Sequence, residues 1–173
     1  MPTVAIHRLS PRDLPAILAL RRRALDRAPE TFGASFAPVD AYLRAFEDKL
    51  ATAFDREDDF ALGAFDDGAL GGMIGCKRLP GLKARHRAYV WGMYVDEALR
   101  GRGVGRRLVE EMLIKARAID GLEVLELTVI ADNARARGLY ERFGFVAWGV
   151  QRDAVLWEGR RGDEAHLALD LRA

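Results

Sequence analysis

The chain has a single cysteine, Cys76, among its 173 residues. One thiol excludes an internal disulfide framework and suits a reducing compartment. An excess of either charge is missing too: 27 lysines and arginines against 26 aspartates and glutamates leave a net charge of +1. Such a balance gives no overall pull towards nucleic acid or an anionic membrane. No apolar run approaches a membrane span, and the opening MPTVAIHRLSPRD lacks the hydrophobic stretch of a secretory signal. A cytoplasmic protein is therefore expected, with neither a membrane nor a nucleic acid as partner. Repeats, low-complexity tracts and linkers are absent as well, and the length suits one domain over 1–173.

What is present is periodic. Residues 3–9 predict a short strand. Ser10-Pro11-Arg12-Asp13 reads as a helix start, with Ser10 as N-cap, Pro11 in the first helical position and Asp13 reaching back. Leu14, Ile17, Leu18, Arg21 and Leu25 follow at helical spacing, their apolar members on one face. After a loop, a second helix is expected at roughly 39–52. Asp67-Gly68 between two apolar runs signals a hairpin, and 86–96 a third long strand. LRGRGVGRRLVEEML, from Leu99, opens a helix with Val104, Leu108, Met112 and Leu113 on its core face. LEVLELTVI is a strand, and DNARARGLYERFG a short helix capped by Asp132 or Asn133 and ended by Gly144. Strands from Phe145 to about 156 and from 164 to 171 close the chain around Glu158-Gly159-Arg160. The order is β-α-α-β-β-β-α-β-α-β-β: an α/β fold whose mixed sheet surrounds one β-α-β unit.

The segment 100–107 holds three glycines and four arginines. A glycine-rich turn entering a helix leaves backbone N–H groups unpaired at the positive end of the helix dipole. Such a turn binds phosphate. Gly101, Gly103 and Gly105 admit an anion without Cβ clashes, and Arg100, Arg102, Arg106 and Arg107 add charge. The same pattern also reads as a solvated basic helix start. A nucleotide P-loop is excluded because Gly105 is followed by Arg106-Arg107 rather than Lys-Ser or Lys-Thr. A dinucleotide fingerprint is excluded by its G-x-G-x-G spacing and by the four residues between strand and turn.

What remains is R-x-x-G-x-G before a helix, then a strand, then N-x-x-A-x-x-L-Y-x-x-x-G-F. With Arg100-Gly101-Arg102-Gly103-Val104-Gly105 as the first motif and Asn133, Ala136, Leu139, Tyr140, Gly144 and Phe145 as the second, the sequence resembles the GNAT superfamily of N-acetyltransferases. The resemblance implies a single GNAT-type domain with a splayed mixed sheet flanked by about four helices. It implies acetyl-CoA as cosubstrate, with no metal. The N–H groups of the turn, with Arg100, Arg102, Val104 and Arg106 around them, would hold the coenzyme A pyrophosphate. Val95, on the splayed fourth strand, would pair with the pantetheine arm, and the Met93 N–H would stabilise the acyl oxygen. Asn133 would bind pantetheine or cap its helix. It shares a face with Tyr140, about 10 Å along the axis, and Tyr140 would act as general acid towards the departing thiolate. The family's final strands often pair across subunits, which admits a homodimer.

The match to the family's general base is missing. Relatives place a glutamate where this chain has Tyr89, or where it has Thr128. Glu126 and Glu164 are the carboxylate candidates, Asp163 and His166 are alternatives, and water-assisted deprotonation needs none of them. Cys76 sits between Gly75 and Lys77 with no activating histidine in sequence, so it reads as core and transfer is expected to be direct. For the acceptor, Phe32, Phe36, Trp91 and Trp157 suggest an apolar wall, and Glu30, Asp40, Asp163 and Glu164 an attraction for cations. A small amine, an amino acid, an aminoglycoside-like compound or a protein N-terminus all fit. A CoA-binding sensor that has lost turnover is the alternative reading.

Overall fold

The computed structural model describes residues 4–29, 39–54, 56 and 58–172. Its strands are β1 (Ala5–Arg8), β2 (Asp59–Asp66), β3 (Ala69–Arg78), β4 (Arg87–Val95), β5 (Val124–Ile130), β6 (Val146–Trp157) and β7 (Arg160–Asp170). Its helices are α1 (Leu14–Arg27), α2 (Val39–Ala53), α3 (Val104–Arg117) and α4 (Ala134–Glu141). The element order is the expected one. The strands form one sheet, ordered β1-β2-β3-β4-β5-β7-β6. Only β4 and β5 run parallel, joined through α3.

Local chemistry explains the starts and turns. Asp13 accepts hydrogen bonds from the Ser10 N–H (2.9 Å) and the Ser10 hydroxyl (2.7 Å). The first turn there is a tighter 3₁₀ turn, Pro11–Asp13, before α1 proper begins. Asp67 and Gly68 both take left-handed φ, +47° and +79°, as a two-residue hairpin between right-twisted strands requires. Glu158 and Gly159 repeat the device at +46° and +76°. β7 therefore starts at Arg160, four residues before the expected boundary. The segment Arg160-Arg161-Gly162-Asp163 has no apolar alternation to reveal a strand, because it lies in an exposed hairpin.

Both sheet faces are covered over β2 and β3. On one side α3 and α4 pack with Leu108, Met112 and Phe145 against Leu62, Ile74 and Leu125. On the other, α1 and α2 bring Ile17, Leu20 and Phe46 against Ala61 and Met73. Double coverage is why β2 and β3 read as nearly continuous apolar runs rather than alternating ones. Cys76 is wholly buried in this core, and burial, with Asp59 nearby, pushes its thiol up to about 12.

Two irregularities position the site. β4 pairs with β5 only from Arg87↔Val124 to Tyr89↔Glu126, and beyond that point the strands part. In β6, three residues (152–154) stand opposite Asp163 alone. Asp153 takes φ +52° there and its N–H donates to the Asp163 carboxylate at 2.9 Å. A bulge of this kind re-aims its neighbours.

Candidate active site

The glycine-arginine turn ends in α3, whose first bond runs from the Arg107 N–H to the Gly103 carbonyl at 3.1 Å. The preceding N–H groups thus have no helical acceptor. Gly101 and Gly103 have φ of +77° and +73°, and a Cβ at either would meet only open space. Glycine is demanded there by backbone conformation. At Gly105 a Cβ would lie 3.2 Å from the Met93 methyl, a tight contact with the end of a flexible side chain. A cavity of about 660 Å³ opens beside this turn, lined by Val95, Arg100, Gly101, Gly103, Val104, Gly105 and Arg106.

The arginines do not all face it. Arg100 lines the cavity, and its Nε donates to the Val95 carbonyl at 3.0 Å. Arg106 also lines it, while its Nε pairs with Glu110 one turn on. Arg102, expected around the pyrophosphate, instead bonds Asp66 at the end of β2 at 2.8 Å and is not among the lining residues. Arg107 is likewise outside. Three further cations complete the ring: Arg27 from the end of α1, Arg135 from α4 and Arg142 at its C-cap. Sequence reasoning missed these, although the seven-residue spacing of the last two places them on one helical face. Open amides and five surrounding arginines suit a polyphosphate ligand such as coenzyme A.

β4 supplies the second part. Tyr94 pairs with Met73 and Trp91 with Gly75, so Gly92 and Met93 together oppose Ile74. Gly92 takes φ +68°, which makes this a bulge. The bulge falls where β5 has already diverged, and so the backbone at Met93 is turned out of the regular ladder. A glycine inside an apolar strand was the sequence signal for it. Trp91 lies flat over Gly75, where a Cβ would come within 2.1 Å of the indole, and meets Phe46 edge-on at 5.8 Å.

A second cavity, of about 460 Å³, adjoins the first. Met93, Asn133, Ala136 and Leu139 line both. Asn133 caps α4, its side-chain oxygen accepting from the Ala136 N–H at 3.0 Å. Tyr140 faces the second cavity only and is otherwise buried, edge-on to Phe145 at 5.5 Å. Burial first, and the neighbouring Tyr89 second, push its hydroxyl above the ordinary phenol range. Tyr89 and Thr128, the two positions where the family resemblance leads one to expect a glutamate, lie across the parting strands and share a hydrogen bond of 2.7 Å. Glu164 and Trp91 also line this cavity, beside Ala154 and Val155 from the β6 bulge. So does Arg21, which sequence reasoning left as one more member of the α1 stripe. An arginine on the core-facing side of an amphipathic helix was the available signal.

Other candidates lie elsewhere. The Glu126 carboxylate is gripped by Arg87, whose Nε donates at 3.1 Å, and it does not line the cavity. The alternation of strand side chains put it on the same face as Thr128, but the adjacent β4 strand meets it with a cation. Asp163 is used by the bulge, and His166 packs beside Trp148 with ring centres 5.2 Å apart. Asp40 pairs with Arg22 on the exposed side of α2, which holds its carboxyl below the usual range. Trp157 is not among the lining residues. Phe32, Phe36 and Glu30 lie outside the described residues.

The model of the acetyltransferase (GNAT) family matches residues 21–145. The N-alpha-acetyltransferase RimI of Mycobacterium tuberculosis is 35% identical over 139 residues, covering 73% of this chain and 85% of that protein. The L-amino acid N-acetyltransferase AaaT of Escherichia coli is 32% identical over 78 residues, 45% of this chain and 48% of that one. A GNAT-family acetyltransferase structure from Streptococcus pneumoniae superposes with a TM-score of 0.80 at 22% identity, covering 97% of this chain and 99% of the other.

Proposed function

The chain belongs to the GNAT acetyltransferase family as an acetyl-CoA-dependent N-acetyltransferase, and from this premise we propose direct acetyl transfer to a small amine, an amino acid or a protein N-terminus held in the smaller cavity. One observation carries the reading: Met93, Asn133, Ala136 and Leu139 form a wall common to the two cavities. A donor on one side and an acceptor on the other meet there without a covalent relay. Cys76, fully buried in the core and holding its proton to about 12, offers no such relay.

Acetyl-CoA supplies a thioester, an acyl group that an uncharged amine can take. The N–H groups ahead of α3 and the arginine ring hold its phosphates. The edge of β4 left free by β5 pairs with the pantetheine at Val95. Met93, turned out by the Gly92 bulge, offers its N–H to the acyl oxygen as charge develops there. Tyr140 keeps its proton at neutral pH and presents it to the departing sulfur. Glu164, on the cavity wall, takes the proton of the incoming ammonium through water.

Titration calorimetry with acetyl-CoA, followed by thiol release with an amine panel, tests the whole. No heat, or no thiol release with any amine, would overturn it. Tyr140→Phe should lower kcat by about 10²-fold while the Kd for acetyl-CoA holds. Glu164→Gln should shift the acidic limb of the kcat/KM profile, and an unmoved limb removes Glu164 as proton acceptor.

A further inference from the structure

Acylation of an ammonium group sheds two protons, and Glu164 is the sole carboxylate among the described residues lining the smaller cavity. Glu164 accounts for the first proton, whose loss turns the ammonium into an amine. The second leaves the nitrogen as the C–N bond forms, while the sulfur gains one as the C–S bond breaks. Hydroxyl groups lie between these two needs. Tyr89, Thr128 and Tyr140 all line this cavity. The last main-chain rung between β4 and β5 is Tyr89↔Glu126, and from it the Tyr89 side chain reaches Thr128, two residues farther along β5, at 2.7 Å. A hydroxyl both donates and accepts. The pair can therefore take a proton at one end and release another at the other, with neither oxygen ionised. Burial, with Tyr89 as the ionisable neighbour, raises Tyr140 above the ordinary phenol range. A phenolate left there after each transfer is costly and calls for prompt reprotonation.

We infer that Tyr89 and Thr128 form a proton bridge that carries the second proton from the acceptor nitrogen to Tyr140, with Tyr89 as a positioning residue acting through that phenol. The nitrogen lone pair forms the C–N bond, and the C–S electron pair leaves on sulfur, which takes the Tyr140 proton. The nitrogen then holds one hydrogen too many and gives a proton to the Thr128 oxygen. The Thr128 proton moves to Tyr89, and the Tyr89 proton moves through a water of the cavity to the Tyr140 phenolate. One N–H has become one S–H, and all three hydroxyls end as they began. The inference rests on the reading of this cavity as the acceptor site and of Tyr140 as the acid.

The test follows single turnovers by rapid quench at saturating acetyl-CoA, with the fastest amine of the panel. Tyr89→Phe and Thr128→Val should each slow transfer by about 10-fold, less than Tyr140→Phe does, because bulk water still returns the proton. Thr128→Ser, which keeps the hydroxyl, should restore most of the rate. Tyr89→Phe added to Tyr140→Phe should slow transfer no further, since the bridge acts only through that phenol. In mixtures of light and heavy water the rate of the unmodified protein should fall along a curve, the mark of several protons moving together. For Tyr89→Phe the fall should be shallower and straight. The Kd for acetyl-CoA should hold throughout. Unchanged rates in Tyr89→Phe and Thr128→Val, or the same loss from Tyr89→Phe whether or not Tyr140 keeps its hydroxyl, would overturn the inference and leave Tyr140 as the acid. A Tyr140→Phe protein as fast as the unmodified one, or no turnover in either, removes the acid itself and the bridge with it.

Discussion

Gly92 and Cys76 show how single residues in this sheet carry separate duties. Gly92 has room for a side chain, since a Cβ would sit 3.6 Å from the Met73 methyl. Its φ of +68° is what an alanine resists, at about 1 kcal/mol. Gly92→Ala should therefore cost only a few degrees of Tm yet lower kcat disproportionately, because relaxing the bulge turns the Met93 amide; parallel melts and kinetics measure the two. Cys76, by contrast, should be silent. A thiol reagent at pH 8 should label it only in concentrated guanidinium chloride, with protection in buffer. At this scale the sequence was uneven. The left-handed glycines before α3, the Asn133 cap and the Asp67-Gly68 turn are local chemistry and could be read directly. Arg21, Arg135 and Arg142 left only a helical-face signal, because a surface arginine and a cavity arginine look alike until the fold sets their surroundings. Glu126 was misdirected by the same gap: alternation gives the face of a strand, while the cation on the next strand is a tertiary fact.

Among the elements, α1 is tied to the approach to the glycine-arginine turn. Arg23 donates to Asp96 at 2.9 Å and to the Leu70 carbonyl at 3.2 Å, and Arg27 pairs with Glu97 at 2.7 Å. Asp96 follows β4 directly, and Glu97–Leu99 forms a 3₁₀ turn leading to Arg100. Arg23→Ala leaves a largely buried carboxylate without its main partner, so a loss of about 1–3 kcal/mol in urea unfolding is expected. The KM for acetyl-CoA should rise as well, since the turn loses its brace. Leu108 in α3 is fully buried, and Leu108→Ala should cost about 2–5 kcal/mol through the cavity it leaves. The helices α1 and α3 were legible in their core-facing residues and close to their starts, through the periodicity of those residues. The start of β7 was not, because an exposed hairpin needs no apolar alternation.

For the molecule as a whole, pH acts through its buried acids. Cys76 and Tyr140 both hold their protons more tightly when folded than as free groups. The unfolded chain ionises first, so their contribution to stability is complete below about pH 9 and declines as pH rises towards 12. Denaturation midpoints should be insensitive to these two groups near neutrality and fall through that alkaline window. Cys76→Ala should flatten the decline after its own neutral-pH stability is subtracted. The element order was fully legible because each of its signals is local. The parting of β4 from β5 came only with the family resemblance, since nothing in either strand's composition marks where pairing stops.

Only three residue pairs stitch β4 to β5. A breeding scheme rewarding heat tolerance alone would favour changes that zip this seam further. Each rung so gained would consume a main-chain group that the proposed pantetheine pairing uses, and hardiness would then cost turnover at this one place in the architecture.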